Sequence, residues 1–192
     1  MRMPRALPLA AALLSVIAVA ACGSGGSGSS PATTGPPSIS ADPIDLSPFV
    51  GKPCTMLRAD QLAQYRLSPP GTTVSSGSGP ACRWTPTLST LPGYTARADL
   101  RSGGLTALYA RRASMPVFQP TPVSLFPAVN TASSAAAIKH GQCTAEVGVA
   151  QNSVLVVDVT VPDATSLDYA DPCSDADAVA AAIIADAEGQ VP

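Results

Sequence analysis

Five cysteines carry the most reactive chemistry in this sequence of 192 residues. One of them, Cys22, directly follows an apolar stretch at the N-terminus. The other four contain no Cys-x-x-Cys pair, which argues against a zinc site. An even number of cysteines in an exported domain predicts two disulfides. Of the three possible pairings we favour Cys54 with Cys82 and Cys143 with Cys173, because each closes a loop of about 30 residues within one half of the domain.

Nucleophilic catalysis finds little support in the remaining residue types. A Ser-His-Asp constellation would have to use His140, the only histidine, which lies in the predicted turn Lys139-His140-Gly141. The chain has no Gly-x-Ser-x-Gly segment of the kind that presents a catalytic serine. With four cysteines in bridges, no thiol nucleophile remains in the domain. We therefore expect a protein that is not an enzyme and needs no cofactor.

Three carboxylates on predicted strands, Asp99, Glu146 and Asp158, are the other candidates for chemistry. They could form an acid and base pair or a calcium site, but calcium sites usually draw several oxygen ligands from one loop. A solvated sheet face with ion pairs between strands is the favoured interpretation. The predicted register sets Glu146 directly opposite Asp158, and like charges there destabilise a sheet. We therefore expect a cation nearby, from Arg97 or Arg101.

The charge balance excludes one class of partner. The chain has 11 Lys and Arg against 13 Asp and Glu, which gives a net charge of -2. Binding to nucleic acid requires clustered cations, so we expect no nucleic acid partner. Arg111 and Arg112 are adjacent, but cations are typical of a helix C-terminus, and contact with an anionic lipid or wall polymer is less favoured. Trp84, close to a bridged cysteine, is predicted to be a core residue.

The first 21 residues have the pattern of an export signal. Arg2 and Arg5 precede an apolar stretch of about 16 residues, which is shorter than the roughly 20 that a membrane-spanning helix requires. The residues Val19-Ala20-Ala21-Cys22 resemble a bacterial lipobox. That resemblance implies a lipoprotein signal peptide over residues 1–21 and lipidation of Cys22, whose acyl chains would hold the protein on the outer face of the cell membrane. An ordinary secretory cut beside an unrelated cysteine is the alternative.

A composition change marks the predicted domain boundary. Residues 22–48 are almost entirely Gly, Ser, Pro, Thr and Ala, a mixture that predicts a flexible tether between Cys22 and the folded part. Residues 49–192 then form one domain by length.

The elements that must position these residues follow from periodicity and breakers. We predict a helix over about 56–65, ended by Pro69-Pro70-Gly71, and a half-buried strand over 94–100. A short helix follows from about Leu105 to Ala113. Four prolines between residues 116 and 127 predict an irregular stretch with at most short edge strands.

The C-terminal part carries the firmest patterns. Apolar residues alternate over 145–149 and 155–161, joined by the three-residue connection Gln151-Asn152-Ser153. A final helix is predicted to begin with Ser174 as N-cap and Asp177 completing a capping box. The expected fold class is α+β, a mostly antiparallel sheet with helices packed on one face and stapled by the two disulfides.

Four motifs in order resemble a known family. They are Lys52-Pro53-Cys54-Thr55-Met56-Leu57 before a helix, Cys82-Arg83-Trp84 on a strand, Gln142-Cys143-Thr144 opening a hairpin, and Asp171-Pro172-Cys173 before the last helix. Behind a lipobox, this set is similar to an actinobacterial lipoprotein family catalogued as domain of unknown function 3558. The resemblance covers roughly residues 50–190 and implies placement and fold without an activity.

The sequence therefore predicts a lipid-anchored envelope domain that binds a small or apolar ligand, or an envelope partner protein, between sheet and helices. Two alternatives stay open. One is a structural or accessory subunit of an envelope complex, and the other is a hydrolase of wall or lipid substrates that works through carboxylates.

Overall fold

Seven antiparallel strands form a single sheet in the computed structural model, which describes residues 35–189. In chain order they are β1 (Thr72–Ser76), β2 (Gly79–Trp84), β3 (Gly93–Asp99), β4 (Val117–Val123), β5 (Phe126–Ala132), β6 (Gln142–Ala150) and β7 (Ser153–Thr160). Across the sheet the order is β1-β2-β3-β7-β6-β5-β4. The predicted α+β class and antiparallel sheet are confirmed, with the two strongest sequence patterns at the centre.

Helices pack against this sheet. They are α1 (Ser47–Val50), α2 (Ala59–Gln64), α3 (Gly104–Ala110), α4 (Ala135–Lys139), α5 (Leu167–Ala170) and α6 (Pro172–Glu188), with short 3-10 turns at Pro53–Thr55 and Arg112–Ser114. The long helix α6 covers the face that carries Leu155 and Val157, here called the inner face. The short helix α3 covers part of the opposite, outer face, where it packs on Val154 and Val156.

The apolar spacing of α6 explains why it covers the centre of the sheet. Val179 and Ile183, four residues apart, share one side of the helix and are fully buried. The helix begins one turn earlier than predicted. Asp171, not Ser174, is its N-cap, and its carboxylate accepts the backbone N–H of Ser174. Pro172 explains the shift, since a proline is well tolerated at the first helical position.

Both disulfides have the predicted pairing. Cys54–Cys82 fastens the 3-10 turn before α2 to strand β2. Cys143–Cys173 fastens the first turn of α6 to strand β6. Each bridge joins a helical segment to the sheet, so together they tie the N-terminal and C-terminal layers to the same core.

The folded part begins earlier than the composition indicates. The chain divides into two units, Met1–Ala32 and Thr33–Pro192, and the described residues all belong to the second. Ile44 and Leu46 are buried in the main core, although they belong to the predicted tether. A few large apolar side chains in a Gly- and Pro-rich stretch are enough to anchor it, so the predicted boundary at residue 49 is wrong. Cys22 and the signal lie outside the described residues.

Two further predictions about the sheet are wrong in detail. The β6–β7 loop has two residues, Gln151 and Asn152, and a register shift lies between Gly148 and Ala150. The Pro-rich stretch forms two full strands, β4 and β5. This is possible because β4 is an edge strand, where a proline removes no ladder hydrogen bond.

Candidate functional site

Two clefts that share part of their lining lie at the end of the sheet that carries the β4–β5 and β6–β7 loops, and together they are here called the groove. Their volumes are about 400 Å³ and 380 Å³, and both are lined by Pro37, Ser38 and Pro127. Each volume lies within the range of about 300–1,000 Å³ that is typical of small-molecule sites. The groove has three walls, which come from residues 36–43, from α3 and from the β4–β5 hairpin.

Helix α3 forms the first wall, and glycines let it approach the sheet. Gly103 and Gly104, just before and at the start of the helix, have positive φ angles of 83° and 68°, a region that side chains other than glycine rarely adopt. Gly148 of β6 lies under Leu105, and a Cβ there would come within 2.7 Å of that side chain. These small residues allow Leu105 and Tyr109 to be buried between helix and sheet while they also line the groove.

The β4–β5 hairpin forms the second wall. Its two-residue loop consists of Ser124, with a positive φ of 53°, and Leu125. The Leu125 side chain lines the second cleft and is 73% exposed. Pro120 and Pro122 of the same hairpin line that cleft as well. This wall is rigid and apolar, because proline fixes its own backbone φ angle.

The segment at residues 36–43 forms the third wall. The backbone N–H of Ile44 donates to the carbonyl of Val149 at 3.0 Å, and the Ile44 side chain is buried. Ile39 packs against the main core. This segment is therefore held at Ile39 and Ile44, and Ser38, directly before Ile39, is exposed and lines both clefts.

The lining chemistry is neutral. Among the described residues, no Asp, Glu, Lys or Arg lines either cleft. The one ionisable group there is Tyr109, whose pKa is raised by burial, with the nearby charge of Arg112 acting in the opposite direction. The polar atoms come from hydroxyl and amide groups such as those of Ser38, Thr106 and Gln151. Such a surface can hold an apolar molecule and orient it with a few hydrogen bonds, but it offers no acid or base near neutral pH.

The three carboxylates singled out from the sequence do not meet in one site. Asp99 ends β3, where it accepts the backbone N–H groups of Arg101 and Ser102 at 3.0 Å each. Burial opposes ionisation of Asp99, yet these hydrogen bonds outweigh it and hold its pKa below the ordinary value. The side chain therefore caps a turn.

The register shift separates Glu146 from Asp158. Glu146 lies opposite Val156, and Asp158 lies opposite Thr144, so the predicted direct pairing is wrong. The hydroxyl of Thr144 donates to Asp158 at 2.6 Å. The predicted cation is Arg97, whose Nη1 lies 2.9 Å from Oδ2 of Asp158.

Glu146 is held in a different way. Burial raises its pKa, and the hydroxyl of Thr131, which donates to Glu146 at 3.2 Å, acts in the opposite direction. Each of the two outer-face carboxylates thus has its own hydrogen-bond donor. The arrangement is that of a structured sheet face.

The other candidates occupy structural positions. Trp84 is fully buried in the main core, as predicted. His140 is exposed at the end of α4, and its Nδ1 lies 3.3 Å from the hydroxyl of Tyr169. Arg111 ends α3, in agreement with the prediction of a polar helix end. None of these three side chains lines the groove.

One ionisable group near the start of α6 is strongly perturbed. The pKa of Asp175 is raised to about 6, first by burial and then by the neighbouring charges of Asp168 and Asp171. One oxygen of Asp175 is buried without a hydrogen-bond partner. The favourable dipole at the helix N-terminus does not compensate for this environment. Asp175 belongs to the inner-face side of the molecule, away from the groove.

Comparison with known proteins places the chain in a family. A family model described as a protein of unknown function, DUF3558, matches residues 17–186. The chain belongs to this family. The match to DUF3558 includes all three walls of the groove. No curated protein and no solved structure matches this DUF3558 protein, so its site must be judged from its own geometry.

Over residues 35–189, no helix is both long enough and apolar enough to span a bilayer.

Sequence reasoning missed the groove of this DUF3558 protein. Its walls come from residues 36–43, 104–109 and 120–127, which are far apart along the chain. The prolines and Leu125 are visible in the sequence, but composition alone assigned them to a tether and to an irregular stretch. The available signal was the apolar Leu125 in a Pro-rich stretch that was predicted to be irregular, because turns and loops normally carry polar residues and glycine.

Proposed function

We propose that the protein is a non-enzymatic binding domain of the cell envelope, anchored by lipid at Cys22, and that its ligand is a small apolar molecule held in the groove. The observation that carries this proposal is the neutral, mostly apolar lining of two joined clefts between sheet, helix and N-terminal segment. The hydrogen-bonded state of Asp99, Glu146 and Asp158 supports a role without carboxylate catalysis.

Native mass spectrometry tests the ligand-binding part. The unit Thr33–Pro192 contains both disulfides and the whole described core, so it can be produced alone by export into an oxidising compartment. The expected result is an added mass that denaturation removes. Ser38→Trp, which places a large ring at the junction of the clefts, should abolish the adduct, whereas Ser40→Trp in the same segment but outside the lining should keep it. A bare native mass for the unsubstituted domain contradicts ligand binding.

Metabolic labelling tests the anchor. Cells that express the full chain are fed an alkyne analogue of palmitate, and the purified protein is examined for label. The lipobox resemblance predicts label on the unsubstituted chain and none on Cys22→Ser. Equal labelling of both chains, or of neither, contradicts lipidation at Cys22.

A second candidate is an accessory subunit that binds an envelope protein. It is favoured by the half of the outer face that α3 leaves uncovered, where Thr95, Thr144, Asp158 and Thr160 line two shallow polar clefts of about 300 Å³ and 190 Å³. Thr160→Cys carrying a photoactivatable cross-linker should capture one discrete protein in cells if this face is an interface. Thr106→Cys, on the exposed side of α3, serves as the control position.

A further inference from the structure

One wall of the groove lies close along the sequence to the residue proposed to carry the anchor. Segment 36–43 lines the groove, and the residues from Gly23 to Gly35 lead back from it to Cys22. We propose that the groove binds a single acyl chain of a glycerophospholipid, taken from the bilayer to which the protein is attached. This proposal rests on the proposed function, since it names the chemical class and the source of the ligand.

The lining fits an acyl chain better than other small molecules. A sugar or peptide inside the groove would leave many polar groups without partners, and a charged group inside it would lack an ion partner, because the described lining has no charged side chain. The charged head of a lipid would stay outside the groove, in water. A saturated hydrocarbon chain needs only apolar contact along its length. Ser38 and Pro127 line both clefts, so one hydrocarbon chain can contact the two clefts together. Ser38 and Ser124 line the second cleft, and serine hydroxyls can donate hydrogen bonds to the ester oxygens of a lipid.

The length of chain before the groove limits its distance from the membrane. Residues 23–35 are 13 in number, and a fully extended chain spans at most about 3.6 Å per residue, so the groove lies within roughly 50 Å of Cys22. A lipid-anchored Cys22 therefore keeps the groove close to a surface where acyl chains are abundant. An apolar metabolite dissolved in water is not concentrated near the groove in the same way, because it is not confined to the membrane.

The hairpin tip supplies a means of contact with that surface. Leu125 is 73% exposed and lines the second cleft. It lies in the loop between β4 and β5, where it takes part in neither strand. A leucine in this position is unfavourable in water and favourable at a bilayer interface. The neighbouring prolines hold it rigidly beside the second cleft. We infer that the tip enters the interface while a chain passes into the groove.

A binding assay tests the ligand class. The probe is 11-(dansylamino)undecanoic acid, added to delipidated Thr33–Pro192 and followed by dansyl fluorescence. We expect saturable binding with one site, displacement by lysophosphatidylglycerol, and at least tenfold weaker binding for Ser38→Trp and, independently, for Thr106→Trp on the α3 wall. Ser40→Trp should bind as the unsubstituted domain does. Absence of saturable binding, or equal binding by all four proteins, overturns the proposal.

A transfer assay tests the source of the chain. Thr33–Pro192 is incubated with vesicles of phosphatidylglycerol and phosphatidylcholine, and the vesicles are then removed by flotation. The mass of the protein that remains in solution is measured by native mass spectrometry. One phospholipid per protein is expected, and Leu125→Ser should slow its uptake severalfold without changing affinity for the dansyl probe. If no phospholipid is taken up, or if Leu125→Ser takes it up at the same rate, the membrane is not the source.

The remaining outcomes separate this proposal from the proposed function. If the lipidated full chain, purified in detergent and freed of phospholipid, does not bind the probe while the Cys22→Ser full chain prepared in the same way binds it, the occupant is the protein's own acyl chain and the proposal is overturned. If the domain carries a native adduct that is not an acyl lipid, the acyl-chain proposal fails and the proposed function stands. If neither adduct nor probe binding is found, both fail.

Discussion

Gly148 provides the sharpest test of how the α3 wall is built. A Cβ added at Gly148 would lie 2.7 Å from both Cγ and Cδ1 of Leu105. Carbon atoms prefer a separation of about 3.5–4.0 Å, so the helix or the side chain must move by roughly 1 Å. Leu105 is only 4% exposed, and the open space beside it is the first cleft, so its side chain would move away from Gly148 into the groove. We therefore expect Gly148→Ala to disturb the wall of the groove.

The net effect on stability is the difference between two opposing contributions. Overpacking of a core costs about 1–3 kcal/mol. Replacing a strand glycine by alanine recovers about 0.5–1 kcal/mol of conformational entropy. At the middle of both ranges, Gly148→Ala should lower the free energy of unfolding by about 1 kcal/mol. Because Leu105 lines the first cleft, ligand affinity should fall as well.

Urea unfolding with the disulfides intact, followed by the fluorescence of the single, fully buried Trp84, measures this free energy. Gly77→Ala is the matched control, since a Cβ at Gly77 meets nothing within 4 Å. In a Leu105→Ala background the clash is gone, so Gly148→Ala should become neutral or slightly stabilising. The reasoning is refuted if Gly148→Ala is as harmless as Gly77→Ala, or if its cost is unchanged in the Leu105→Ala background.

Three further predictions concern the rest of the domain. Asp175 has a folded-state pKa of about 6, above the ordinary 3.8, so its charge destabilises the fold increasingly as pH rises through this window. Asp175→Asn removes this charge, so it should raise the free energy of unfolding at pH 7 and change it little at pH 4. We expect about 1 kcal/mol at pH 7, which is less than the full pKa shift corresponds to, because solvent screens a half-buried charge. Thermal melts at the two pH values measure the difference, and an equal effect at both would contradict the shift. Replacing Cys143 and Cys173 together by serine should cost about 3–4 kcal/mol in urea unfolding, and an unchanged midpoint would contradict the stapling role. Gly71 has a φ of 86°, and a Cβ at this position would lie 2.6 Å from the Trp84 ring. Gly71→Ala should therefore lower the free energy of unfolding by more than about 2 kcal/mol and shift the fluorescence emission of Trp84. An unshifted emission spectrum would contradict the contact.

Strand positions were predictable where burial alternates. Tyr94, Ala96 and Ala98 of β3 are buried as the alternation indicated, because a half-buried strand must place its apolar residues on one face. The disulfide pairing was also predictable, since each pair is close enough along the chain to join neighbouring elements.

Features that depend on tertiary contacts were not predictable in this way. The register of Glu146 and Asp158 differs from the prediction by two residues, because the β6–β7 loop is one residue shorter than predicted and a register shift near Gly148 adds one more. A glycine inside a strand, here Gly148, is the sequence signal that points to such a shift. The tether was predicted from the average composition of residues 22–48. That average is dominated by small residues and proline, so it does not reveal that Ile44 and Leu46 are buried in the core. Helix α3 was expected on the same face as the other helices, but Val154 and Val156 make β7 apolar on both faces and create a second place for a helix to pack.

The most direct test of ligand binding in the groove is a two-dimensional amide NMR titration of Thr33–Pro192 with a dihexanoyl phosphatidylglycerol below its micelle concentration. The proposed site predicts saturable shift changes that cluster at Ser38, Thr106 and Leu125 and fade toward α6. Changes confined to the uncovered outer face around Thr144 and Thr160, or no saturable changes at all, would contradict it.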